Sequence, residues 1–182
     1  MKSFPVLYTE RFQLRQLRLQ DHLAIFEYFS QDEVTEYYDL ETLSSPEQAK
    51  QLIIAWEQRW QRDDSIRWGI CYKDNPKVIG TIGFHNWSAF HLRAEVGYEL
   101  SPLFWRQGIM SECLKEVLRY GFVELGFNRI EAMIDPDNIS SRKLLEKAGM
   151  REEGLLREYL FEKGVFVDAA MFSILQREYE CS

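Results

Sequence analysis

The stretch 102-PLFWRQGIMSECLKEVL-118 decides how the chain is read, because it joins an irregular segment with one glycine to a strongly helical run. A helical spacing of apolar residues predicts a helix from about Ile109 to Leu125, on positions 109, 113, 114, 117, 118, 121 and 122. The first backbone N–H groups of a helix have no acceptor within the helix and favour anions. Gly108 and Arg106, directly before this helix, favour a diphosphate there. The alternative is that Gly108 only serves the conformation of the loop.

A second segment, 135-DPDNISSRKLLEKAGM-150, predicts a short helix over 139–148 that ends at Gly149. Asn138 and Ser141 stand three residues apart at its start, so both can face the same side. Two interpretations stay open: a polar pair that contacts a ligand, or a helix cap with its N3 residue. Local chemistry alone favours the cap.

The remaining pattern predicts an α+β chain. Arg11 to Arg18 alternates apolar and polar residues as a first strand does, and Ser45-Pro46-Glu47-Gln48 is a capped helix start. A turn is expected at 73–76 and a hairpin at 162–164. Further helices are expected over 20–30 and 46–61, and further strands over 66–72, 78–87, 94–100, 128–134, 151–161 and 165–175. No linker or repeat interrupts the 182 residues, so we expect a single domain, 1–182.

Composition limits the function classes. The formal net charge of −7 argues against nucleic acid as a partner and is compatible with a cationic substrate. No apolar run reaches the length of a signal peptide core or a membrane span, so a cytoplasmic protein without a membrane partner is expected. The three cysteines and three histidines are scattered, which predicts no disulfide framework and no metal site. Cys113 lies on the apolar stripe of its helix and is not expected to be a nucleophile; His22, His85 and His91 look isolated.

The ordered set of motifs resembles one family. Ala94-Glu95-Val96-Gly97-Tyr98, the helix start at Gly108, the Asn-x-x-Ser-x-x-Leu-Leu-Glu-Lys-Ala-Gly run and Glu153–Arg157 follow one another as they do in the GNAT superfamily of N-acetyltransferases. The chain is most similar to the ribosomal-protein alanine acetyltransferase (Rim-type) branch, which the opening at Thr9–Arg15 and the late Asp168 also resemble. The likeness extends from about residue 8 to 176. It implies the GNAT fold: a mixed, mostly antiparallel sheet with splayed central strands and helices on both faces.

The resemblance implies acetyl-CoA as co-substrate and no metal. Its pyrophosphate loop falls on Trp105, Arg106, Gln107, Gly108, Ile109, Met110 and Ser111. Met110 replaces the usual small residue, so its side chain must point away from the phosphates. Backbone groups near Tyr98 and Leu100 are expected to bind the pantetheine arm in the gap beside the strand at 129–134, and Asn138 is expected to hydrogen-bond the same arm.

The chemistry needs a neutral amine and a protonated leaving thiol. The resemblance places the base at Glu95, although Glu95 can also be an ordinary exposed strand carboxylate. Glu99, on the same strand face, and Glu158 are further candidates, and an amine that arrives deprotonated needs no base. Leu145 stands where many family members have a donor tyrosine, so the implied donor is Ser141.

These implications define the expected function. The reaction is acetyl transfer to a primary amine, a protein N-terminal α-amine by the Rim-type resemblance, through direct attack in a ternary complex. The alternatives are a small-molecule N-acetyltransferase for a polyamine, amino sugar or antibiotic, a non-catalytic acyl-CoA-binding sensor, and a structural interaction protein. The monomer and the homodimer are both open. Acidic residues around Tyr37 and Tyr38 form either a solvated loop or a rim that attracts a cationic acceptor: Asp32, Glu33, Glu36, Asp39 and Glu41.

Overall fold

The computed structural model describes residues 3–179, whose eight strands form one sheet in the order β1-β2-β3-β4-β5-β6-β8-β7. Among the described strands only β5 and β6 are parallel, and helix α4 connects them. The strands are β1 (Leu7–Tyr8), β2 (Phe12–Gln16), β3 (Ile66–Tyr72), β4 (Asn75–Ser88), β5 (Arg93–Leu100), β6 (Arg129–Ile134), β7 (Arg151–Glu162) and β8 (Val165–Leu175). The predicted α+β class, with a mostly antiparallel sheet, is confirmed.

The helices follow the sequence pattern closely. They are α1 (His22–Phe29), α2 (Asp32–Thr35), α3 (Pro46–Gln61), α4 (Ile109–Val123), α5 (Ile139–Lys147) and α6 (Gln176–Tyr179). Ser45 and Gln48 form the expected capping box, with Pro46 in the first turn. The elements β1, α2 and α6 escape prediction because two to four residues are too few to show a period.

Several boundaries differ from the prediction by one to three residues, most clearly at β4 and β2. The expected turn at 73–76 is shorter, because β4 begins at Asn75, where Asn75 pairs with Tyr72. Only Lys73 and Asp74 remain between the strands, and a bulge after Ile70 absorbs the change in register. The first predicted strand contracts to Phe12–Gln16.

Each face of the sheet packs against its own helices. On one face Trp68, Ile82 and Phe84 join the inward stripe of α4, of which Cys113, Leu114 and Val117 are fully buried. On the other face Ile25 of α1 and Ile53 of α3 form a second core. Because side chains alternate along a strand, neighbouring residues of β5 project toward different helices. This alternation separates the two halves of the site described below.

Further observations concern membrane spans, metal sites and cysteines. None of the described helices is long and apolar enough to cross a membrane. Within residues 3–179 no group of three or more His, Cys, Asp or Glu side chains is placed to hold a metal ion. Cys71 and Cys113 are free and buried, and Cys181 lies outside the described residues. Burial raises the pKa of the Cys113 thiol, which fits a core residue and not a nucleophile.

Candidate active site

The parallel strands β5 and β6 separate after three residues. Arg93–Glu95 pairs with Arg129–Glu131, and beyond Glu95 the two strands have no paired positions, although β6 stays paired with β8 as far as Ile134. A gap therefore opens through the middle of the sheet between residues 96–100 of β5 and residues 132–134 of β6.

The backbone of β5 presents free groups to this gap. Ser101 N–H donates to the Ile79 carbonyl at 2.9 Å, which makes Ile79 and Ser101 a hydrogen-bonded pair of the β4–β5 ladder. Hydrogen-bonded pairs alternate in an antiparallel ladder, so the N–H and C=O of Tyr98 and Leu100 point away from β4 and toward the gap. Trp105 Nε1 donates to the Leu100 carbonyl at 2.8 Å. The other outward groups are available to an extended ligand that pairs as a strand does.

The start of α4 lies at one end of the gap and is built from left-handed residues. Arg106 has φ of 61° and Gly108, the N-cap of α4, has φ of 73°. Backbones that alternate in this way turn successive N–H groups inward as an anion nest. A Cβ on Gly108 would meet only open space and the Arg11 side chain at 3.8 Å, so the conformation, rather than crowding, calls for glycine here.

A strap from the N-terminal segment holds this helix start. Glu112, in the first turn of α4, accepts hydrogen bonds from Thr9 Oγ1 at 2.6 Å, Arg11 N at 2.8 Å and Arg11 Nε at 2.7 Å. The Arg11 guanidinium also donates to the Gln107 carbonyl at 3.2 Å. The nest is therefore held by hydrogen bonds to the turn between β1 and β2.

Side chains of the predicted pyrophosphate loop leave its backbone accessible. Ile109 and Met110 are buried in the main core and both also line the cleft, so the expectation that the Met110 side chain points away from the phosphates stays a prediction. Trp105 is 41% exposed and covers the end of β5 through its bond to Leu100.

Helix α5 begins on the far side of the gap with Asn138. Asn138 Oδ1 accepts the Ser141 N–H at 3.0 Å, so the cap interpretation of this pair is correct. The cap uses the amide oxygen of Asn138, and both residues line the cleft. Leu145 is fully buried, so no donor is presented from that position.

A tyrosine hydroxyl faces Ser141 from β5. The Tyr98 hydroxyl is buried and has no hydrogen-bond partner of normal geometry among the described residues. Burial raises the pKa of Tyr98 to about 12, and the neighbouring Ser141 hydroxyl opposes that rise. A buried polar group without a partner is costly, and because Tyr98 lines the cleft, its hydroxyl is a candidate to contact a ligand there.

The opposite face of β5 carries Glu95, Gly97 and Glu99. Glu95 is buried, which rules out the exposed-carboxylate interpretation. Its Oε2 accepts a hydrogen bond from Asn86 Nδ2 at 2.8 Å, and its Oε1 lies 3.3 Å from His85 Nε2. Burial by itself would raise the pKa of Glu95, but His85, Asn86 and the Met133 backbone N–H together hold that pKa below its usual value.

Glu99 has a different environment. It forms a buried ion pair with Arg67 and also accepts from Thr81 Oγ1. Arg67 donates to Thr81 Oγ1 at 2.7 Å and to the Gly97 carbonyl at 3.0 Å, and its guanidinium lies 5.5 Å from the ring of Trp56. Burial raises the pKa of Glu99. Because the Glu99 carboxylate is paired with Arg67 and bonded to Thr81, it is not available as a free base.

One cleft of about 1250 Å³ unites these groups. It runs from residues 105–111 through the gap to an acidic mouth that includes Glu33, Glu36, Asp39 and Glu162. Burial and the nearby Asp39 raise the pKa of Glu162. Three of the five predicted acidic residues thus lie at the cleft, which favours the rim interpretation over a remote solvated loop.

Comparison with known proteins identifies the architecture. Residues 11–151 match the family described as Acetyltransferase (GNAT) domain. The chain belongs to the GNAT family. It is 46% identical over 173 residues to the uncharacterized N-acetyltransferase YoaA of Bacillus subtilis, covering 95% of this chain and 98% of that protein. It is 30% identical over 141 residues to the putative ribosomal N-acetyltransferase YdaF of the same organism, covering 77% and 76%.

A solved structure shares the fold. RimL, the ribosomal L7/L12 α-N-protein acetyltransferase in complex with coenzyme A, superimposes with a TM-score of 0.85 over 94% of this chain and 98% of that chain, at 18% identity. The predicted GNAT fold and the resemblance to ribosomal-protein acetyltransferases are confirmed. As a GNAT protein, the chain is an acyltransferase of a family that uses acetyl-CoA.

The GNAT site suits acetyl-CoA by its own chemistry. The nest at Arg106–Gly108 offers N–H groups to a diphosphate, and the outward amides of β5 match the two amide groups of a pantetheine arm. The Tyr98 hydroxyl, which has no hydrogen-bond partner of normal geometry, lies next to Ser141 in the same cleft.

The sequence prediction omits one residue of this GNAT site, His85, gives Tyr98 a role only through its backbone, and includes Glu158, which lies apart. His85 was expected to be isolated, but it pairs in register with Glu95 across β4 and β5 and lines the cleft. The register of that hairpin was the signal that could have found it. The Tyr98 hydroxyl was also overlooked. Glu158 is exposed and is not among the cleft residues; its backbone N–H donates to Asp168 at 2.7 Å.

Proposed function

We propose that the protein transfers the acetyl group of acetyl-CoA to a primary amine, by direct attack in a ternary complex, and that the acceptor is a protein N-terminal α-amine. In this proposal the whole chain, 1–182, is one N-acetyltransferase domain that works in the cytoplasm. The observation that carries the proposal is the gap in the sheet: it lets a thioester that lies along one face of β5 meet an amine that approaches Gly97 from the other face.

Each side of the gap has groups that suit its reactant. Residues 105–111 and Asn138 would hold acetyl-CoA, with Ser141 and Tyr98 near the sulfur as proton donors. Glu95 belongs to the acceptor side, where its negative charge favours an approaching ammonium. The acidic mouth, with Glu36 and Asp39, favours a positively charged acceptor by the same attraction.

The named relative supports the choice of acceptor. YdaF carries a ribosomal N-acetyltransferase designation, and RimL acts on an α-amine of a ribosomal protein. The cleft has a volume of about 1250 Å³ and its lining includes Tyr159, Leu160 and Glu162 of the β7–β8 hairpin, which supports an acceptor that continues beyond its first residue.

Release of free CoA, followed with a thiol reagent, tests the proposal. Acceptors are lysine-free peptides beginning with Ala, Ser or Met, the same peptides with a blocked N-terminus, and spermidine, glucosamine and an aminoglycoside. We expect free peptides to raise CoA release above hydrolysis and blocked peptides to leave it unchanged. Faster turnover of a small amine than of every peptide would favour the small-molecule alternative. Thermal stabilisation by acetyl-CoA with no amine-dependent release would favour the sensor.

A further inference from the structure

The histidine of the acceptor side is placed over the floor of the cleft. Gly97 forms that floor, and a Cβ built on it would lie 3.0 Å from His85 Cε1 and 3.4 Å from His85 Nδ1. The His85 side chain is 31% exposed, whereas that of Glu95 is 11% exposed. The imidazole, and not the carboxylate, is therefore the group that an incoming amine meets first.

The two nitrogens of this ring have different surroundings. Nε2 lies 3.3 Å from Glu95 Oε1, and a proton on Nε2 is the tautomer that gives the carboxylate a donor. Nδ1 has no hydrogen-bond partner among the described residues. A neutral ring in this tautomer carries its free electron pair on Nδ1, above Gly97.

Glu95 is held on every side. Asn86, in a left-handed conformation with φ of 48°, donates to Oε2, and the Met133 backbone N–H contributes from β6. Those contacts lower its pKa, so protonation of Glu95 would be unfavourable and would break them. This makes Glu95 a weak base and a good anchor for the histidine.

We propose that His85 Nδ1 is the general base that takes the proton from the acceptor ammonium, and that Glu95 is a positioning residue that fixes the ring and stabilises its charged form. The proposal rests on the amine acetyltransferase function proposed above. The arrangement is that of a base oriented by a buried carboxylate.

The step balances as follows. The ammonium gives one proton to Nδ1, and the neutral amine attacks the thioester carbonyl carbon. A C–N bond forms and the C–S bond breaks, so the electron pair leaves on the CoA sulfur. The second amine proton reaches the sulfur through the hydroxyl of Tyr98 or Ser141, and the imidazolium returns its proton to water through its exposed edge.

Other charges around the ring are paired. Arg67, from β3, lies 3.2 Å from the same Cβ position and is neutralised by Glu99. From β6, Glu131 neighbours Glu95 in register and is paired with Arg93 and Arg129. Among the described carboxylates near His85, Glu99 and Glu131 are paired with arginines, which leaves Glu95 to interact with the histidine ring.

The test compares His85→Gln with a matched control, His91→Gln, in an exposed loop residue outside the cleft lining. With the best acceptor of the panel, we expect His85→Gln to lower kcat by about 100-fold or more and to abolish the imidazole limb of the kcat/KM profile against pH. The Kd of acetyl-CoA should be unchanged, and added imidazole should partly restore turnover in His85→Ala. Glu95→Gln should keep the limb and lower kcat less than His85→Gln does, because the base is still present but the ring loses the carboxylate that orients it.

A measurement on the unaltered protein guards against misfolded variants. The ¹⁵N shifts of His85 should report a neutral ring protonated on Nε2; protonation on Nδ1 would overturn the proposal. So would an unchanged rate and pH limb in His85→Gln while the wild type turns over peptides. A wild type that releases no CoA with any amine would instead remove the proposed function, and this inference with it.

Discussion

At the scale of single residues, the least satisfied group of the site is the Tyr98 hydroxyl. It is buried, has no hydrogen-bond partner of normal geometry among the described residues, and lies beside the Ser141 hydroxyl at the gap. Tyr28 has a buried hydroxyl that is also unpartnered, but it is enclosed beside Glu99 and is not among the cleft residues. Tyr98 is therefore the candidate for a functional hydroxyl, and Tyr28, whose buried hydroxyl lies outside the cleft, is the control for it.

Replacement of Tyr98 by Phe separates stability from chemistry. We expect the unfolding free energy of the ligand-free protein to stay constant or rise by up to about 1 kcal/mol, because no hydrogen bond of normal geometry is lost and the buried hydroxyl is removed. We expect kcat to fall by at least about tenfold, because a proton donor to the leaving thiolate is lost. Tyr28→Phe should reproduce the first effect without the second. A Tyr98→Phe enzyme with wild-type kcat would assign the hydroxyl to packing alone.

At the scale of secondary-structure elements, the strap on α4 links the N-terminal segment to the nest. Burial by itself would raise the pKa of Glu112, but Thr9 and Arg11 lower it below the ordinary value of 4.5. A carboxylate with a lowered folded-state pKa stabilises the fold above about pH 4.5, and that contribution disappears as the pH falls through the folded-state pKa.

Glu112→Gln tests the strap. We expect a loss of about 1 kcal/mol at pH 7 and a smaller difference from the wild type below pH 4.5, measured by urea unfolding at each pH. The Kd of acetyl-CoA should also rise, because Arg11 no longer holds the Gln107 carbonyl in place. Glu116→Gln is the matched control, since Glu116 lies on the same helix and pairs with Arg119. Equal effects of the two variants would show that the strap has no special role.

The hydrogen-bond pattern of β5 predicts that acetyl-CoA protects alternate backbone amides of this strand from hydrogen exchange. Gly97 and Glu99 already donate to β4, whereas the Tyr98 and Leu100 N–H groups face the gap. We expect acetyl-CoA to slow hydrogen exchange at Tyr98, Leu100 and residues 106–111, with little change at Gly97 and Glu99, as measured by NMR. Uniform protection along β5 would indicate general stabilisation, and no protection at 106–111 would contradict the diphosphate assignment.

At the scale of the whole molecule, two distant parts of the chain meet beside the acidic mouth of the cleft. Lys163, at the tip of the β7–β8 hairpin, donates to the Thr35 carbonyl at the end of α2 at 2.5 Å. This contact joins residues 128 positions apart and completes the rim that Glu36 and Glu162 share.

Lys163→Gln should loosen that rim. We expect the KM for the peptide acceptor to rise by about threefold to tenfold, because one charge-assisted bond holds the hairpin near α2, while the Kd of acetyl-CoA stays constant. Lys147→Gln, an exposed change on α5 outside the cleft lining, serves as control. A change in the Kd of acetyl-CoA with no change in the acceptor KM would contradict the prediction, because Lys163 would then influence cofactor binding and not acceptor binding.

The sequence by itself determined the long elements and their order. The apolar stripe of α4, the capped start of α3 and the strands at β3 and β5 are local features that the fold keeps within one or two residues of the predicted bounds. The helix start at Gly108 and the Asn138–Ser141 pair could also be predicted, because helix caps and loops depend on residues that are neighbours in the sequence.

Only the tertiary structure decided what meets across the sheet. The distance at which β5 and β6 part, the contact between His85 and Glu95, the ion pair of Arg67 with Glu99 and the unpartnered Tyr98 hydroxyl depend on register and burial. Those quantities are set by strands that pair over long sequence separations, and local periodicity carries no information about them. For this reason the sequence could name Glu95 as a candidate. It could not show that neighbouring groups lower the pKa of Glu95, or that its carboxylate contacts His85.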